Sequence, residues 1–456
     1  MSTALKPALG CLLAGFVAVM APCVGVAAGE SGEPAVAVPE GTPVPYALHG
    51  QSTFIVQGVP PFHARYKGDN SLSSGGETKE TWTVTPAVGV RLGPGLEFYG
   101  NPEFFQGFGL DSTHGVAGFT NGEAQRGGTH VPEAYLARLF VRQTWGFGGE
   151  SEIVADGFNQ LGGTRDVSRL TLTAGKFSTS DIFDDNTYSH DPRAGFLNWS
   201  IWEAGAFDFA ADLRGYTYGA VLDLNQTAWA FRLGYMLNPP GSGQRGSDPD
   251  FTRHGQSLAE LETRYSFMGK DGKLRLMGWL NRANMGNYRE ALALVANTGV
   301  DINDTNTSNR KTRSSFGFVA GIEQAASEDV GLFARASWGN GVNESLSFTD
   351  IDQSVSAGFT LKGTAWGRPK DTVGVAGVVN GISAAHRDFF AAGGLGIVIG
   401  DGKLNYANEA IVETYYAHAL RDSLILTFDG QYITNPAYNA DRGPAGVLSA
   451  RLHGEF

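Results

Sequence analysis

The last eleven residues, "GVLSARLHGEF" (Gly446–Phe456), alternate with a period of two. Gly446, Leu448, Ala450, Leu452, Gly454 and Phe456 are apolar or small, while Ser449, Arg451, His453 and Glu455 on the other set are polar or charged. A period of two is a strand with one apolar and one polar face. Left open in water, such a strand would template aggregation. Some other phase must cover the apolar face, and some partner must pair the edge.

The pattern recurs along the chain. Leu424, Leu426, Phe428, Gly430 and Tyr432 oppose Ile425, Thr427, Asp429 and Gln431. Leu332, Ala334, Ala336 and Trp338 oppose Phe333, Arg335 and Ser337; Leu274, Leu276, Gly278 and Leu280 oppose Arg275, Met277, Trp279 and Asn281. Ala259–Phe267 and Trp229–Leu237 read the same way. From His49 to Phe456 there are about 16 to 18 such candidates, several ending in an aromatic residue (Trp229, Trp338, Tyr432, Phe456) as the girdles of a membrane barrel do. Short hairpin signals at Gly93–Gly95 and Gly269–Gly272 contrast with long polar connections at Asn238–His254 and Thr298–Arg313. The fold expected is all-β: a transmembrane antiparallel β-barrel of 16–18 strands with short periplasmic turns and longer extracellular loops. Lipid then covers the apolar face and closure removes the edge.

The rest of the chain agrees with export to a membrane. The N-terminus carries one Lys (Lys6), an apolar stretch and the small-residue triplet Val26-Ala27-Ala28, so residues 1–28 read as a cleaved signal peptide. Cys11 and Cys23 both fall inside it, so the mature chain is expected to hold no disulfide and no thiolate metal site. Residues 29–46 are Pro-rich and read as a periplasmic lead-in, with the barrel occupying 47–456. Beyond Ala28 no apolar run is long enough for a transmembrane helix. A net charge of −12 makes nucleic acid an unsuitable partner.

Enzyme motifs are missing. No H-E-x-x-H and no G-x-S-x-G occurs, and "GGLGIVIG" (Gly393–Gly400) has the wrong spacing for a nucleotide loop, reading instead as a Gly-rich strand. No cofactor or metal is expected, and the chain is read as a channel rather than an enzyme.

Particular stretches then point further: "YKGDNSLSSGGE" (Tyr66–Glu77), "NPEFFQGFGL" (Asn101–Leu110), "AGFTNGEAQRGG" (Ala117–Gly128), "YLARLFVRQTWGFGGESE" (Tyr135–Glu152), "GKFSTSDIFDDNTYSHDPRAGFLNW" (Gly175–Trp199), "DFAADLRGYTYG" (Asp208–Gly219) and "ETYYAHALRDSLILTFDGQYITNP" (Glu413–Pro436). In these the chain resembles the carbohydrate-selective porins of the outer membrane, the OprB-like family. The resemblance implies sixteen strands, passive diffusion of sugars with glucose the usual substrate, and assembly as a homotrimer in the outer membrane of a Gram-negative bacterium. The stretch Val300–Lys311 matches no family word. Expected partners are small carbohydrates, outer-membrane lipid and lipopolysaccharide, and the barrel assembly machinery, which would meet the terminal Phe456.

A neutral sugar offers hydroxyls that donate and accept, and flat C–H faces. A pore that selects it needs arginine forks, carboxylates and aromatic faces together at a constriction. In "YLARLFVRQTW", Ala137, Leu139 and Val141 should face lipid, which puts Arg138, Phe140, Arg142 and Thr144 in the lumen. The alternative role for these arginines is neutralising lumen acids on neighbouring strands. Further candidates are Glu103, then Lys176, Asp181, Asn198 and Trp199 in a connection too polar and long for a hairpin turn, and Asp212 with Arg214, which alternate onto one face. The rival with the same barrel is a general or anion-preferring diffusion porin; an outer-membrane barrel enzyme would need a catalytic set on the lipid face.

Overall fold

The computed structural model describes residues 41–124 and 128–456; the expected signal peptide and most of the lead-in lie outside these. Among the described residues, sixteen antiparallel strands close on themselves, and two further strands form a separate hairpin. The strands are β1 (Tyr46–Val59), β2 (Glu77–Gly93), β3 (Leu96–Gly107), β4 (Thr129–Gly146), the outlying pair β5 (Ser151–Val154) and β6 (Gly163–Asp166), and β7 (Arg169–Phe177). They continue with β8 (Thr217–Asn225), β9 (Trp229–Met236), β10 (Gly255–Phe267), β11 (Lys270–Met285) and β12 (Lys311–Ala325). The last six are β13 (Val330–Gly339), β14 (Gln353–Gly363), β15 (Arg368–Gly381), β16 (Glu409–Arg421), β17 (Leu424–Thr434) and β18 (Ala445–Glu455). Closure is made by β1 against β18, with Gln51 opposite Glu455 and Gly58 opposite Leu448. No described helix is long and apolar enough to cross a membrane.

Strand parity follows the alternation in the sequence. Leu332, Trp338, Phe428, Tyr432 and Leu448 are exposed on the outer wall, whereas Arg335, Ser337, Thr427, Asp429, Gln431 and Arg451 are buried inside. Trp229 and Phe456 mark one rim, Trp338 and Tyr432 the other, as girdles at two interfaces require. At the β10–β11 turn Met268 (φ 53°) and Gly269 (φ 75°) are both left-handed, the backbone of a tight two-residue hairpin. That turn sits just ahead of the Lys270–Gly272 stretch, which belongs to β11.

Four sequence expectations are corrected. Ala137 does not face lipid: Asn101 pairs with Arg138 and the next residue, Pro102, with Leu136, so Ala137 is an extra, fully buried residue of β4. Pro102 has no N–H for the ladder, which is why the register slips there. Gly393–Gly400 is not a strand but buried irregular backbone, with Gly393 (φ 96°) and Gly400 (φ 121°) in conformations only glycine holds comfortably. The polar stretch 298–313 is not wholly loop. It carries part of a helical hairpin, α2 (Tyr288–Thr298) and α3 (Ile302–Ser308), which follows the short α1 (Trp199–Trp202) and precedes α4 (Ala384–Ala391). Asp301 caps α3 by accepting from Asn303 N at 2.8 Å.

The fourth correction concerns the short-turn rim. Six of its connections have two to four residues, while those at the other rim run from ten to thirty-nine. That asymmetry identifies the first rim as periplasmic. The β4–β7 connection, 147–168, is the exception: it is a periplasmic excursion containing the β5–β6 hairpin.

Candidate functional site: a two-walled constriction

The lumen is filled before it is narrowed. The longest extracellular connection, 178–216 (L3), folds into the barrel and supplies much of its buried interior: Phe183, Phe196, Trp199, Ile201 and Phe207 are all at most 2% exposed. An inward loop brings backbone N–H and C=O groups that water no longer reaches, and each needs a partner. The polar faces of the strands supply them. Glu413 on β16 accepts from Leu197 N and Asn198 N at 2.5 and 3.1 Å, and Glu260 on β10 accepts from Asp184 N at 2.9 Å. Arg335 on β13 donates to Ser189 O at 2.6 Å and Ile201 O at 3.0 Å. Arg451 on β18, in the C-terminal alternation, donates to Pro192 O and Gly195 O at 2.6 and 2.8 Å. The polar face of the barrel is therefore in large part a set of clamps on L3.

So held, L3 presents two walls. One is charged. The Arg193 guanidinium lies between two carboxylates, 2.9 Å from Glu103 on β3 and 2.9 Å from Glu123 on the 108–128 connection (L2). Glu103 is fully buried behind it, accepting also from Thr85 Oγ1 at 2.6 Å and from Tyr135. Arg214 pairs with Glu133 and stacks 4.6 Å from the Tyr135 ring. Arg138 makes a two-pronged pair with Asp181, at 2.7 and 2.5 Å, under the Tyr216 ring.

The other wall is aromatic. Trp199 stacks on Phe119 at 5.2 Å and meets Trp202 edge-on at 5.2 Å. Phe209 and Phe348 close around Trp199 at 5.7 and 6.0 Å. The three-residue spacing of the two tryptophans on α1 puts both indoles on one side of a single turn. Gly122 is required beside them, since a Cβ there would sit 2.5 Å from Trp202 Nε1. The two walls bound a cavity of about 300 Å³.

Below it, toward the periplasm, lies a second cavity of about 560 Å³ lined by Phe140, Arg142, Arg169, Asp223 and Arg232 among others. Arg142 stacks over Tyr99 at 5.0 Å and Phe140 at 5.5 Å, and donates to Asn159 O at 3.1 Å.

The residues singled out from the sequence separate into three groups. Arg138, Asp181, Trp199 and Arg214 line the upper cavity, and Phe140 and Arg142 the lower one. Glu103, Asn198 and Asp212 do not reach the upper cavity but set what does. Glu103 holds Arg193. Asn198 is fully buried, caps α1 through Ser200 N and donates to Gly118 O at 2.7 Å. Asp212 is not on a strand: it turns the chain by accepting from Arg214 N at 2.9 Å. Lys176 is misplaced. It is the penultimate residue of β7, opposite in parity to Thr173 and Phe177, and lies on the outer wall 5.9 Å from the Tyr218 ring. Sequence reading passed over Trp202, for which the Trp-x-x-Trp spacing was a usable sign, and Glu123 and Phe348, for which there was none.

Among curated proteins none matches the sequence significantly. Among solved structures, the high-pH structure of Pseudomonas putida OprB aligns over 90% of this chain and 94% of that one, at 14% identity and a TM-score of 0.68, a likeness of fold. In vitro folded OmpT of Vibrio cholerae, in its trimer form, aligns over 91% of this chain and 100% of that one at 11% identity and a TM-score of 0.45. Residues 69–456 match the family model described as carbohydrate-selective porin, OprB family. With that match over most of its length, the chain belongs to the OprB family and is a carbohydrate-selective porin of the outer membrane.

Proposed function

We propose that the upper cavity is the selective point of the channel and passes monosaccharide-sized carbohydrates by passive diffusion, glucose or a close relative among them. What carries this reading is the facing of two unlike walls across about 300 Å³: indole and phenyl faces on one side, arginine–carboxylate pairs on the other. Aromatic faces take the C–H surface of a pyranose, and arginine forks and carboxylates take its hydroxyls as acceptors and donors. The volume lies at the low end for small-molecule sites, which suits one ring better than a chain of them. Because each arginine is already paired with an acid, the wall offers hydrogen bonds without a strong net field, as a neutral solute requires. Phe456, whose backbone pairs in both directions with Gly50 at 2.9 Å, offers the barrel assembly machinery an exposed terminal ring.

Liposome swelling tests the reading. Vesicles carrying the protein should swell fastest in glucose, more slowly in maltose or sucrose, and more slowly again in a trisaccharide. Equal rates for all of them would contradict it. The basic lining of the lower cavity favours one rival, an anion-preferring diffusion pore. A reversal potential showing strong anion selectivity, untouched by added sugar, would support that rival instead.

A further inference from the structure

Among the described residues, the periplasmic connection 147–168 is the one long segment between strands on a rim otherwise made of two- to four-residue turns. Long connections without an architectural need are usually functional. Its paired strands β5 and β6 carry a tight turn, Gly157-Phe158-Asn159-Gln160, closed by Gly157 N to Gln160 O at 2.9 Å and Gln160 N to Gly157 O at 3.0 Å. Asn159 sits at φ 57°, a left-handed position that asparagine tolerates.

This turn does not hang below the barrel. It is fastened into the lumen at several points. Asn159 O accepts from Arg142 Nη1 at 3.1 Å, and Leu161 N donates to Tyr99 Oη at 3.1 Å. Gly162 O accepts from Arg91 Nη2 at 3.1 Å and Val44 N at 3.0 Å. Asp156 meets His49 at 3.0 Å, and the Leu161 side chain is buried in the barrel core. Bonds to β1, β2, β3 and β4 fix the turn as a rigid sill.

Phe158 is at the tip. The upper and lower cavities share four lining residues, Arg138, Phe158, Asp181 and His190. Arg138 and Asp181 are locked to each other on the barrel and L3 side, and Phe158 lines the boundary between the chambers from the hairpin side. We propose that Phe158, carried up on the periplasmic hairpin, is a specificity-determining residue that forms a second size-limiting point on the exit side of the constriction. The extracellular loops L2 and L3 would then set what is recognised, and the hairpin would set how large a solute can leave. Nothing in this depends on the solute being a sugar.

The test uses the full-length refolded porin in planar bilayers and compares wild type, Phe158→Ala, and a variant in which the hairpin is replaced by a two-residue Asn-Gly turn. Ion conductance and the size cut-off for neutral polyethylene glycols are read in each. Phe158→Ala removes a half-buried ring but none of the backbone bonds that close the turn, so it should fold even where the hairpin replacement does not. The expected result is conductance raised roughly 1.5-fold or more in Phe158→Ala, since pore diameter governs passage. The polymer cut-off should move to larger sizes, further still without the hairpin. Wild-type conductance and an unchanged cut-off in correctly folded Phe158→Ala would overturn the proposal.

Discussion

Arg193 shows how the constriction is made at the scale of one residue. Its guanidinium holds together a wall carboxylate, Glu103, and a loop carboxylate, Glu123, and removing it would leave two buried acids facing each other. Arg193→Ala is expected to destabilise the protein by about 3–5 kcal/mol, the usual result of breaking a buried pair. Arg193→Lys should recover little of it, because an ammonium cannot bridge two carboxylates as a planar fork does. Thermal unfolding in detergent reads both. Trp202→Ala should act differently: loss of about 1 kcal/mol of aromatic contact would raise the sugar concentration for half-block about fivefold, with the barrel intact. At this scale the sequence was legible wherever a residue sat on a regular strand. Arg138, Phe140 and Arg142 point inward as parity requires, and Lys176 points outward for the same reason once β7 is followed to Phe177. Ala137 was not legible, because a bulge opposite Pro102 breaks the count. Nor were the roles of Asn198 and Asp212, which rest on bonds to backbone groups such as Gly118 O and Arg214 N that no pattern of side chains displays.

At the scale of elements, L3 is the part on which the proposed selectivity rests, and its docking has a titratable latch. Asp208, in this loop rather than in a spanning strand, accepts from Leu346 N at 2.9 Å and Ser347 N at 3.0 Å, joining L3 to the 340–352 connection. Burial pushes its carboxyl up to about 7 from an ordinary 3.8, against the pull of those two donors and with Asp350 and Asp352 adding repulsion. The folded protein thus keeps this proton where an unfolded chain would release it. The stabilisation is full below about pH 4 and is lost as pH rises toward 7. Between pH 5 and pH 8 the wild type is expected to lose on the order of 2 kcal/mol through this group. Asp208→Asn should flatten that dependence; parallel pH profiles of melting temperature for the two proteins would refute it. The strands were readable because lipid on one side and a filled lumen on the other impose a strict period of two. The loops answer to no such period. The helix Tyr288–Thr298 had a cap, Asn287 accepting from Glu290 N at 3.1 Å, but lies in an excursion where length and polarity masked it. The β5–β6 hairpin was hidden by the expectation that periplasmic turns are short.

On the scale of the whole molecule, the barrel is a container whose content decides its function. Lipid-facing residues fix where it resides, and inward acids and arginines fasten L3 so that two unlike walls meet over a small space. A periplasmic hairpin reaches the boundary between that space and an arginine-rich chamber below. Replacing Arg138 by Ala would open the boundary between the chambers from the wall side, and replacing Arg142 as well would widen the chamber below and release one hold on the hairpin. Conductance should rise and discrimination between glucose and sucrose should fall in that double variant, as followed by swelling rates; unchanged permeation would remove both residues from the pathway. The central claim is that a neutral sugar binds in the constriction on its way through. Single-channel current through the refolded protein, titrated with glucose, maltose and sucrose, tests it most directly. The account predicts saturable block, reached at the lowest concentration by a monosaccharide and weakened in Trp202→Ala. A current that no sugar alters at any concentration would contradict it.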